Sequence, residues 1–317
     1  MMKCDVMAKL RRNVPLGPLT TFGVSGRADY FIEVHNPDEL IAAVLLAKKK
    51  NWPYFVIAGG SNVVCGDDLF RGVTIYFKPK ASFCHCQGLS LTVKANLPLE
   101  HLIKKAIILG LAGLESLSGI PGTVGGAIVG NAGAYGQSIS DCLTRVEVFD
   151  PKTSRTRWLN KKQCRFAYRT SIFKEEKRKD WLVLRTEFQL TKGNKKLLTQ
   201  KSREIIKIRF EKYSPTLRCP GSFFKNVLTR NLSRVTLAKI DKQKIINGKI
   251  PAGYLLEAVG AKGMRVGGIY VANFHGNLLI NDGHGTCRDV VTLATKLKAL
   301  VKAKFGIILE EEVRYMI

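Results

Sequence analysis

The segment from residue 113 to 136, read as GLESLSGIPGTVGGAIVGNAGAYG, restricts the possible fold more than any other part of the chain. Eight of the 29 glycines lie in it, and its only charged residue is Glu115. Because glycine has no Cβ atom, such a segment can adopt positive φ angles and bring its backbone close to a ligand. Pro121 fixes its own φ angle and favours extended geometry at Ile120. We therefore expect a shaped loop here and not a flexible linker.

The residues of this segment leave two interpretations open. Successive backbone N–H groups in a glycine-rich loop can form an anion-binding concavity, but a buried glycine-rich turn would have the same composition. The pattern is not GxGxxG, and no lysine follows as a P-loop requires. A second small, uncharged loop, Gly59-Gly60-Ser61-Asn62, follows a predicted strand. If the first loop binds a diphosphate, the second would supply the other half of the site.

Composition indicates a globular protein. A chain of 317 residues with 45% apolar and 9% aromatic residues can form about two domains, each with its own core. No apolar run approaches the ~20 residues that cross a bilayer. The first residues, MMKCDVMAKLRRN, lack the apolar region of a signal peptide. We therefore expect a cytoplasmic protein without a membrane span.

The net charge of +26 is high and allows two interpretations. It is typical of nucleic-acid-binding proteins, but it is also compatible with a solvated basic surface that serves anionic ligands. The basic residues form several short clusters without the interleaved aromatic residues of a single-strand-binding surface. This distribution favours anionic ligands and no nucleic acid.

The eight cysteines show no CxxC pair and no zinc-like spacing. Cys84-His85-Cys86 is the only fragment that resembles a metal motif, and neighbouring residues of a strand point to opposite faces. We expect free thiols in a reducing compartment and no metal site.

Residue periodicity, caps and turn residues predict alternating helices and strands. The predicted helices cover about 37–50, 99–111, 199–212, 252–259 and 287–304, with Asn36 as the cap of the first and a Thr286–Asp289 capping box at the last. The predicted strands cover 30–34, 54–58, 74–77, 91–95, 145–150, 156–159, 181–190, 278–281 and 309–315, and those at 145–150 and 156–159 are expected to form a hairpin. Composition shifts near 191–198, which predicts a boundary between one domain at 20–192 and a second at 198–317. Residues 1–19 are expected to form an N-terminal extension.

These motifs, in this order, resemble the UDP-N-acetylenolpyruvoylglucosamine reductase (MurB) family. The resemblance extends from Thr20 to Tyr315, and the strings GIPGTVGGA and GSFFKN are its most specific parts. The segments that carry it are 19–23, 60–62, 118–136, 168–169, 221–226, 261–263 and 310–314.

The resemblance implies an α+β fold. A two-lobed FAD-binding module of the vanillyl-alcohol-oxidase (PCMH) type would be followed by a C-terminal α/β substrate-binding domain. It also implies non-covalent FAD, NADPH as hydride donor, and reduction of an enolpyruvyl UDP-sugar to its lactyl ether in peptidoglycan precursor synthesis. The residues that the resemblance assigns to FAD are Gly59, Gly60, Ser61, Asn62, Val63, Gly119, Pro121, Gly122, Thr123, Gly125, Gly126 and Ala127.

Three residues match the catalytic positions of the family. Arg169 would bind the substrate carboxylate and stabilise the enolate, a role that suits its planar guanidinium. Glu312 would polarise the same carboxylate as a protonated acid, and Ser222 would deliver a proton to the neighbouring carbon. The positions that match the substrate site are Tyr168, Lys225, Asn226 and His275.

The chain departs from the family pattern at several positions. Val227 and Glu311 stand where proline is usual, and the second change makes Glu310 a reserve candidate for the role of Glu312. The segment 95–98 replaces a glycine-containing turn. A spacing of 53 residues between Arg169 and Ser222 resembles the branch without an extra tyrosine-bearing loop.

Two other functions remain open at this point. A flavin-dependent oxidase of the same superfamily would often hold its flavin covalently through histidine or cysteine, and only Cys65 borders the two glycine loops. A basic nucleic-acid-binding protein would bind with an affinity that falls steeply with salt.

Overall fold

The computed structural model describes residues 6–24, 26–81 and 85–317. The α-helices are α1 (Pro37–Lys49), α2 (Leu99–Ile108), α3 (Val124–Gly130), α4 (Lys195–Lys212), α5 (Arg234–Ala238), α6 (Ala252–Ala258) and α7 (Cys287–Phe305). The strands of the N-terminal half are β1 (Arg11–Pro15), β2 (Arg27–Val34), β3 (Tyr54–Ile57), β4 (Val63–Cys65), β5 (Leu69–Phe77), β6 (His85–Gln87), β7 (Ser90–Lys94), β8 (Leu111–Ala112), β9 (Gly133–Ala134), β10 (Gln137–Ser138), β11 (Leu143–Asp150) and β12 (Arg155–Asn160). Those that follow are β13 (Leu182–Gln189), β14 (Thr191–Lys192), β15 (Val227–Leu228), β16 (Lys249–Ile250), β17 (Arg265–Val266), β18 (Ile269–Val271), β19 (Leu279–Asn281) and β20 (Arg314–Met316).

The described residues divide into two compact units. The first takes those within 6–13, 29–59 and 71–211, and the second takes those within 14–28, 60–70 and 212–317. Helix α4 therefore belongs almost entirely to the first unit. The division into a 20–192 FAD-binding domain and a 198–317 substrate-binding domain stays a prediction about function.

Two sheets dominate the first unit. A four-stranded sheet has the order β1-β2-β5-β3, and its β3 and β5 are parallel. A five-stranded antiparallel sheet has the order β12-β11-β13-β7-β6. Helix α1 buries residues at helical spacing, namely Leu40, Ala43, Val44 and Ala47. Two sheets in one unit fit the expectation of two lobes.

The second unit packs short helices against small sheets. Its largest sheet has the order β17-β18-β19, and β20 pairs in parallel with β4. Helix α7 provides much of the core by burying one face of apolar residues, which are Val290, Leu293, Ala294, Leu297 and Val301.

The predicted caps of two helices are confirmed. The Asn36 side chain accepts a hydrogen bond from the N–H of Glu39 at the start of α1. Thr286 and Asp289 form a reciprocal capping box at the start of α7. Because each cap satisfies N–H groups that have no intrahelical partner, the side chain defines where the helix begins.

Several elements differ from the prediction, and α4 begins at Lys195, before the predicted start near 199. Helix α2 ends at Ile108, one turn early, because the chain turns at Gly110 with φ +67°. The glycine segment contains a helix, α3, that its composition hid because glycine is a poor helix former. The C-terminal strand covers only Arg314–Met316 and not 309–315.

The cysteines Cys65, Cys86, Cys142, Cys164, Cys219 and Cys287 are free thiols. Burial raises the pKa of the Cys164 thiol to about 12, so this thiol stays protonated. Cys4 and Cys84 lie outside the described residues. Cys84 is the first residue of the Cys84-His85-Cys86 fragment, so the structure describes only part of that fragment. Among the residues that are described, no cluster of His, Cys, Asp or Glu could hold a metal ion.

No helix in the described ranges is long and apolar enough to cross a membrane.

The one charge of the glycine segment is buried and paired. Glu115 accepts hydrogen bonds from the N–H of Gly113 and from Lys201 Nζ of α4, both at 2.8 Å. Burial acts to raise the pKa of Glu115, but the bonds from Lys201 and Gly113 outweigh it and hold the pKa below its ordinary value. The carboxylate thus fixes the entry to the glycine segment against α4.

Replacing Glu115 by Gln should lower the free energy of unfolding by about 1.5–3 kcal/mol at neutral pH, the usual loss for a hydrogen bond to a charged group. A carboxyl whose pKa falls on folding stabilises the protein above its unfolded pKa, and that stabilisation is lost as pH falls through the folded pKa. Hence the difference between parent and variant should shrink below pH 4.5. Urea unfolding followed by tryptophan fluorescence across this range measures both effects.

Glu176→Gln is the matched control, because Glu176 also pairs with a lysine but its side chain is 84% exposed. It should change the unfolding free energy by less than about 0.5 kcal/mol. Equal losses in the two variants, or a Glu115→Gln deficit that does not depend on pH, would contradict the assigned role.

Candidate active site

The two predicted glycine loops meet at Gly59 and Gly122 in the first unit. A Cβ atom added to Gly59 would lie 2.6 Å from the Cα of Gly122, closer than any real side chain tolerates. Gly122 also has φ +109°, which side-chain-bearing residues rarely adopt. Both positions therefore need glycine, because here two backbones touch directly.

The start of α3 is fixed against segment 95–97. The N–H of Gly125 donates to the Ala95 carbonyl at 2.7 Å, and the N–H of Val124 donates to the Leu97 carbonyl at 2.9 Å. A Cβ on Gly125 would lie 2.9 Å from the Cβ of Ala95. Asn96 donates to the carbonyls of His35 and Lys78. The unusual 95–98 turn is thus well supported and forms one wall of the glycine segment.

The backbone at 122–126 could accept an anion. The N–H groups of Gly122 and Thr123 donate to no other described residue, while Pro121 and Gly126 are exposed. Thr123 caps α3 by accepting from the N–H of Gly126 at 3.4 Å. Thr123 is buried and Gly122 half-buried, and backbone amides without a protein acceptor are what a bound diphosphate requires. Ala127 follows as a buried residue of α3.

Gly119 differs from its predicted neighbours. Its N–H donates to the carboxylate of Glu100 at 3.2 Å, and its φ is +74°. A Cβ there would lie 3.3 Å from Cδ of Arg209 in α4. Gly119 thus has a structural contact of its own, in addition to any predicted contact with FAD.

In the 59–62 loop, the residues after Gly59 lie in the second unit. A Cβ on Gly60 would collide with the Leu19 carbonyl oxygen, and the N–H of Thr21 donates to the Gly60 carbonyl at 3.1 Å. Asn62 donates from Nδ2 to the Glu312 carbonyl at 3.0 Å and accepts at its own carbonyl from Arg314. Val63 begins β4 beside β20. This loop therefore supports the backbone that carries Glu312.

Arg169 lies in a tight turn of the first unit. Ala167 and Thr170 pair across the turn, and Arg169 has φ +54°. Nη2 of Arg169 donates to the Gly133 carbonyl at 2.9 Å, and its guanidinium carbon lies 5.5 Å from the centre of the Tyr168 ring.

The turn is anchored to the end of α3. Asn131, the C-cap of α3, donates to the Ala167 carbonyl at 2.9 Å, and Ser171 donates to the Val129 carbonyl at 2.7 Å. One short helix therefore has the predicted FAD loop at its start and the predicted carboxylate-binding arginine near its end.

Ser222 begins a segment that is hydrogen-bonded on both sides in the second unit. On one side the N–H of Phe223 donates to the Asn277 carbonyl at 3.0 Å. On the other side the N–H of Glu312 donates to the Phe223 carbonyl at 2.8 Å. The N–H of Lys225 donates to the Glu310 carbonyl at 2.9 Å. Ser222 and Glu312 thus lie on neighbouring, mutually bonded segments.

At Glu311, where the family pattern predicts proline, side-chain hydrogen bonds hold the segment next to Glu312 in place. Glu311 lies opposite Phe224, and its carboxylate accepts from Lys298 Nζ and from Tyr315 Oη, both at 2.6 Å. Burial, reinforced by the Glu311 carboxylate, raises the pKa of the Tyr315 phenol. Glu310, the reserve candidate, pairs with Lys225 Nζ at 2.8 Å and its side chain is 72% exposed.

Two predicted substrate residues have structural contacts. Asn226 accepts from the N–H of Ala252 at the start of α6, at 3.1 Å. His275 accepts at Nδ1 from the N–H of Asn277 at 3.0 Å. Burial and then the positive charge of Lys212 lower the pKa of His275, so the imidazole is neutral and carries its proton on Nε2. Contact of either residue with substrate stays a prediction.

Sequence reasoning missed Tyr213. Its Oη lies 2.9 Å from Ser222 Oγ, although it is nine residues upstream and belongs to no motif. No spacing rule connects a loop tyrosine to a serine across an irregular turn, so the sequence held no signal for this contact.

Comparison with known proteins gives matches over nearly the whole chain. An FAD binding domain model matches residues 28–159, and the UDP-N-acetylenolpyruvoylglucosamine reductase C-terminal domain model matches residues 214–316. The UDP-N-acetylenolpyruvoylglucosamine reductase of Solibacter usitatus is 41% identical over 304 residues, which are 96% of each chain. That of Carboxydothermus hydrogenoformans is 34% identical over 310 residues, 97% of this chain and 95% of the relative.

A solved structure agrees. UDP-N-acetylenolpyruvylglucosamine reductase from Thermus caldophilus matches with a TM-score of 0.74 and 27% identity, over 96% of this chain and 99% of that one. The predicted α+β fold, with an FAD-binding domain followed by a C-terminal reductase domain, is confirmed. The chain therefore belongs to the UDP-N-acetylenolpyruvoylglucosamine reductase family.

Proposed function

We propose that this chain is a flavoenzyme that uses NADPH to reduce the enolpyruvyl ether of UDP-N-acetylglucosamine-enolpyruvate to the lactyl ether of UDP-N-acetylmuramate. One observation carries the proposal, namely 41% identity to a reductase of that name over 96% of both chains. Reduction of this ether is a step in the synthesis of the peptidoglycan precursor. Because the chain belongs to the reductase family, we prefer the reductase to the flavin-dependent oxidase that the sequence had left open.

The first unit has residues that fit FAD. The backbones of Gly59 and Gly122 are bare, and the amides of Gly122 and Thr123 are available to diphosphate oxygens. When bound, FAD supplies the hydride, taken from NADPH, that adds to the vinyl carbon of the substrate. The remaining predicted contacts, through residues 60–63 and 125–127, would align the cofactor.

Arg169 is proposed to bind the substrate carboxylate. Its planar guanidinium can bind a carboxylate in a bidentate manner and stabilise the negative charge that develops as the double bond is reduced. The hydrogen bond from Nη2 to Gly133 and the turn anchored on α3 hold that group in place before substrate arrives. Glu312 is proposed to polarise the same carboxylate.

Ser222 is proposed to protonate the carbon next to the carboxylate. A serine hydroxyl is a weak acid, but an enediolate is a strong enough base to take its proton. The hydrogen bonds on both sides of 222–225 fix the hydroxyl, so the proton would be delivered from one face. Tyr168, Lys225, Asn226 and His275 are proposed as the substrate-site residues, with Lys225 suited to phosphate.

We further propose that the reaction takes place in the cytoplasm and that nucleic acid is not a ligand. Free thiols at the six described cysteines fit a reducing compartment. The net charge of +26 would then attract the two anionic substrates. Recovery of the protein from a membrane or extracellular fraction, or salt-sensitive binding to DNA, would contradict these two points.

Gly59→Ala should weaken FAD binding at least about tenfold, because the new methyl group must separate the two backbones at the diphosphate site. Binding is measured by quenching of flavin fluorescence during titration of the apoprotein. Gly130→Ala is the control, since Gly130 lies in the same region, has no positive φ and has nothing within 4 Å of an added Cβ. Equal FAD affinity in both variants would remove Gly59 from the cofactor site.

Ser222→Ala holoenzyme should still be bleached by NADPH at the parental rate but be reoxidised by the enolpyruvyl UDP-sugar about 100-fold or more slowly, because only the second half-reaction needs the proton. Stopped-flow absorbance of the flavin separates the two steps. Ser214→Ala removes another hydroxyl from the same region and should leave both rates unchanged. Reoxidation of Ser222→Ala at the parental rate would disprove the proton-donor role.

Arg169→Lys should slow reoxidation by about 10²–10³-fold, because lysine keeps the charge but loses the bidentate fork that stabilises the developing enolate. Arg165→Lys is a close control, since Arg165 also has positive φ, at +48°, in the same region but pairs with Glu175 on the surface. Similar rates for the two variants would show that charge alone suffices at position 169.

A further inference from the structure

We propose that Tyr213 is a positioning residue for the reaction, acting through Ser222 by donating its phenolic hydrogen to Ser222 Oγ. This inference rests on the proton-donor role proposed for Ser222. It adds a residue that lies outside every sequence motif described above. The observation that carries it is the 2.9 Å separation of Tyr213 Oη and Ser222 Oγ.

The direction of this hydrogen bond matters for chemistry. If the phenol donates, the hydrogen of Ser222 does not point at Tyr213 and is available for the substrate carbon. As the Ser222 O–H bond breaks, its electron pair stays on Oγ and a C–H bond forms on the substrate. The Tyr213 O–H then stabilises the negative oxygen, as hydrogen bonds to charged acceptors are stronger than those to neutral ones. A proton from water restores the serine hydroxyl.

Packing holds the phenol in place. The Tyr213 ring packs against a small apolar cluster of the second unit that contains Cys219, Ala272, Leu278 and Ile280. Its ring centre lies 6.0 Å from that of His275, tilted by 47°. The neighbour Leu278 of this cluster also pairs with Ser222 through a backbone bridge. The same packed group thus fixes both oxygen atoms.

Nothing cationic is needed at Ser222 for this role. Burial, and then the positive charge of Lys212 next to Tyr213, lowers the pKa of His275, so the imidazole beside the phenol is neutral. Its Nδ1 already accepts from the N–H of Asn277, so this ring does not take the phenolic hydrogen in place of Ser222 Oγ. The phenol therefore serves as a hydrogen-bond donor whose acceptor becomes charged during the reaction.

The test compares Tyr213→Phe with the parent holoenzyme. Phenylalanine keeps the ring and its packing, so the melting temperature and the rate of bleaching by NADPH should not change. Reoxidation by the enolpyruvyl UDP-sugar should slow by about 10- to 100-fold, the effect of one hydrogen bond to a charged group. The solvent deuterium isotope effect on reoxidation should rise, because proton delivery becomes more rate-limiting.

Tyr270→Phe is the matched control. Tyr270 packs against the same cluster, and its ring contacts Arg265. Removing its hydroxyl should leave reoxidation and its isotope effect at parental values. The double variant Ser222→Ala/Tyr213→Phe should be no slower than Ser222→Ala alone, because Tyr213 acts only through Ser222.

The outcomes separate this inference from the proposed function. If Ser222→Ala slows reoxidation and Tyr213→Phe does not, or accelerates it, the serine donates to the tyrosine and the role of Tyr213 is wrong while that of Ser222 stands. If Tyr213→Phe slows the Ser222→Ala enzyme further, Tyr213 acts independently and the inference is again overturned. If Ser222→Ala itself reoxidises at the parental rate, both roles fail together.

Discussion

The direct contact between two bare backbones, at Gly59 and Gly122, determines most of the first unit's site. Because no Cβ fits between them, the loop after β3 and the turn before α3 can only approach as they do. That approach leaves the amides of Gly122 and Thr123 without an acceptor among the described residues. The helix that follows then brings Gly133 and Asn131 to the turn of Arg169. The proposed cofactor site and the proposed carboxylate site therefore depend on the same seven-residue helix.

In the second unit, the Ser222 hydroxyl and the Glu312 carboxylate are carried on irregular backbone that must be held in place. Segment 222–225 does this by bonding to Asn277 on one side and to 310–312 on the other. The Asn277 side chain accepts from the N–H of Phe224 and donates to its carbonyl, both at 2.8 Å. Such bonds replace the ladder of a regular sheet, and they hold Ser222 and Glu312 without long strands.

Much of this arrangement could be predicted from the sequence. The caps at Asn36 and Thr286 and the hairpin of β11 and β12 follow from local rules, and the structure has all of them. The two glycine loops predicted bare backbone beside a ligand; the structure brings Gly59 and Gly122 into direct contact, and ligand binding there stays a prediction. Local rules failed at α3, because tertiary bonds to residues 95–97 stabilise a helix that its glycines disfavour. They also failed at Tyr213, because its contact with Ser222 depends on the path of an irregular loop.

The carboxylate of Glu311 shows how a departure from the family pattern can be accommodated. Proline at this position would stiffen the chain covalently, whereas Glu311 is bonded to Lys298 of α7 and to Tyr315 of β20. Here three side chains, those of Lys298, Glu311 and Tyr315, together hold a segment that a proline would stiffen by itself. The three positions are therefore coupled in the structure: a change at 311 alone would leave a basic group and a half-buried phenol without their common acceptor.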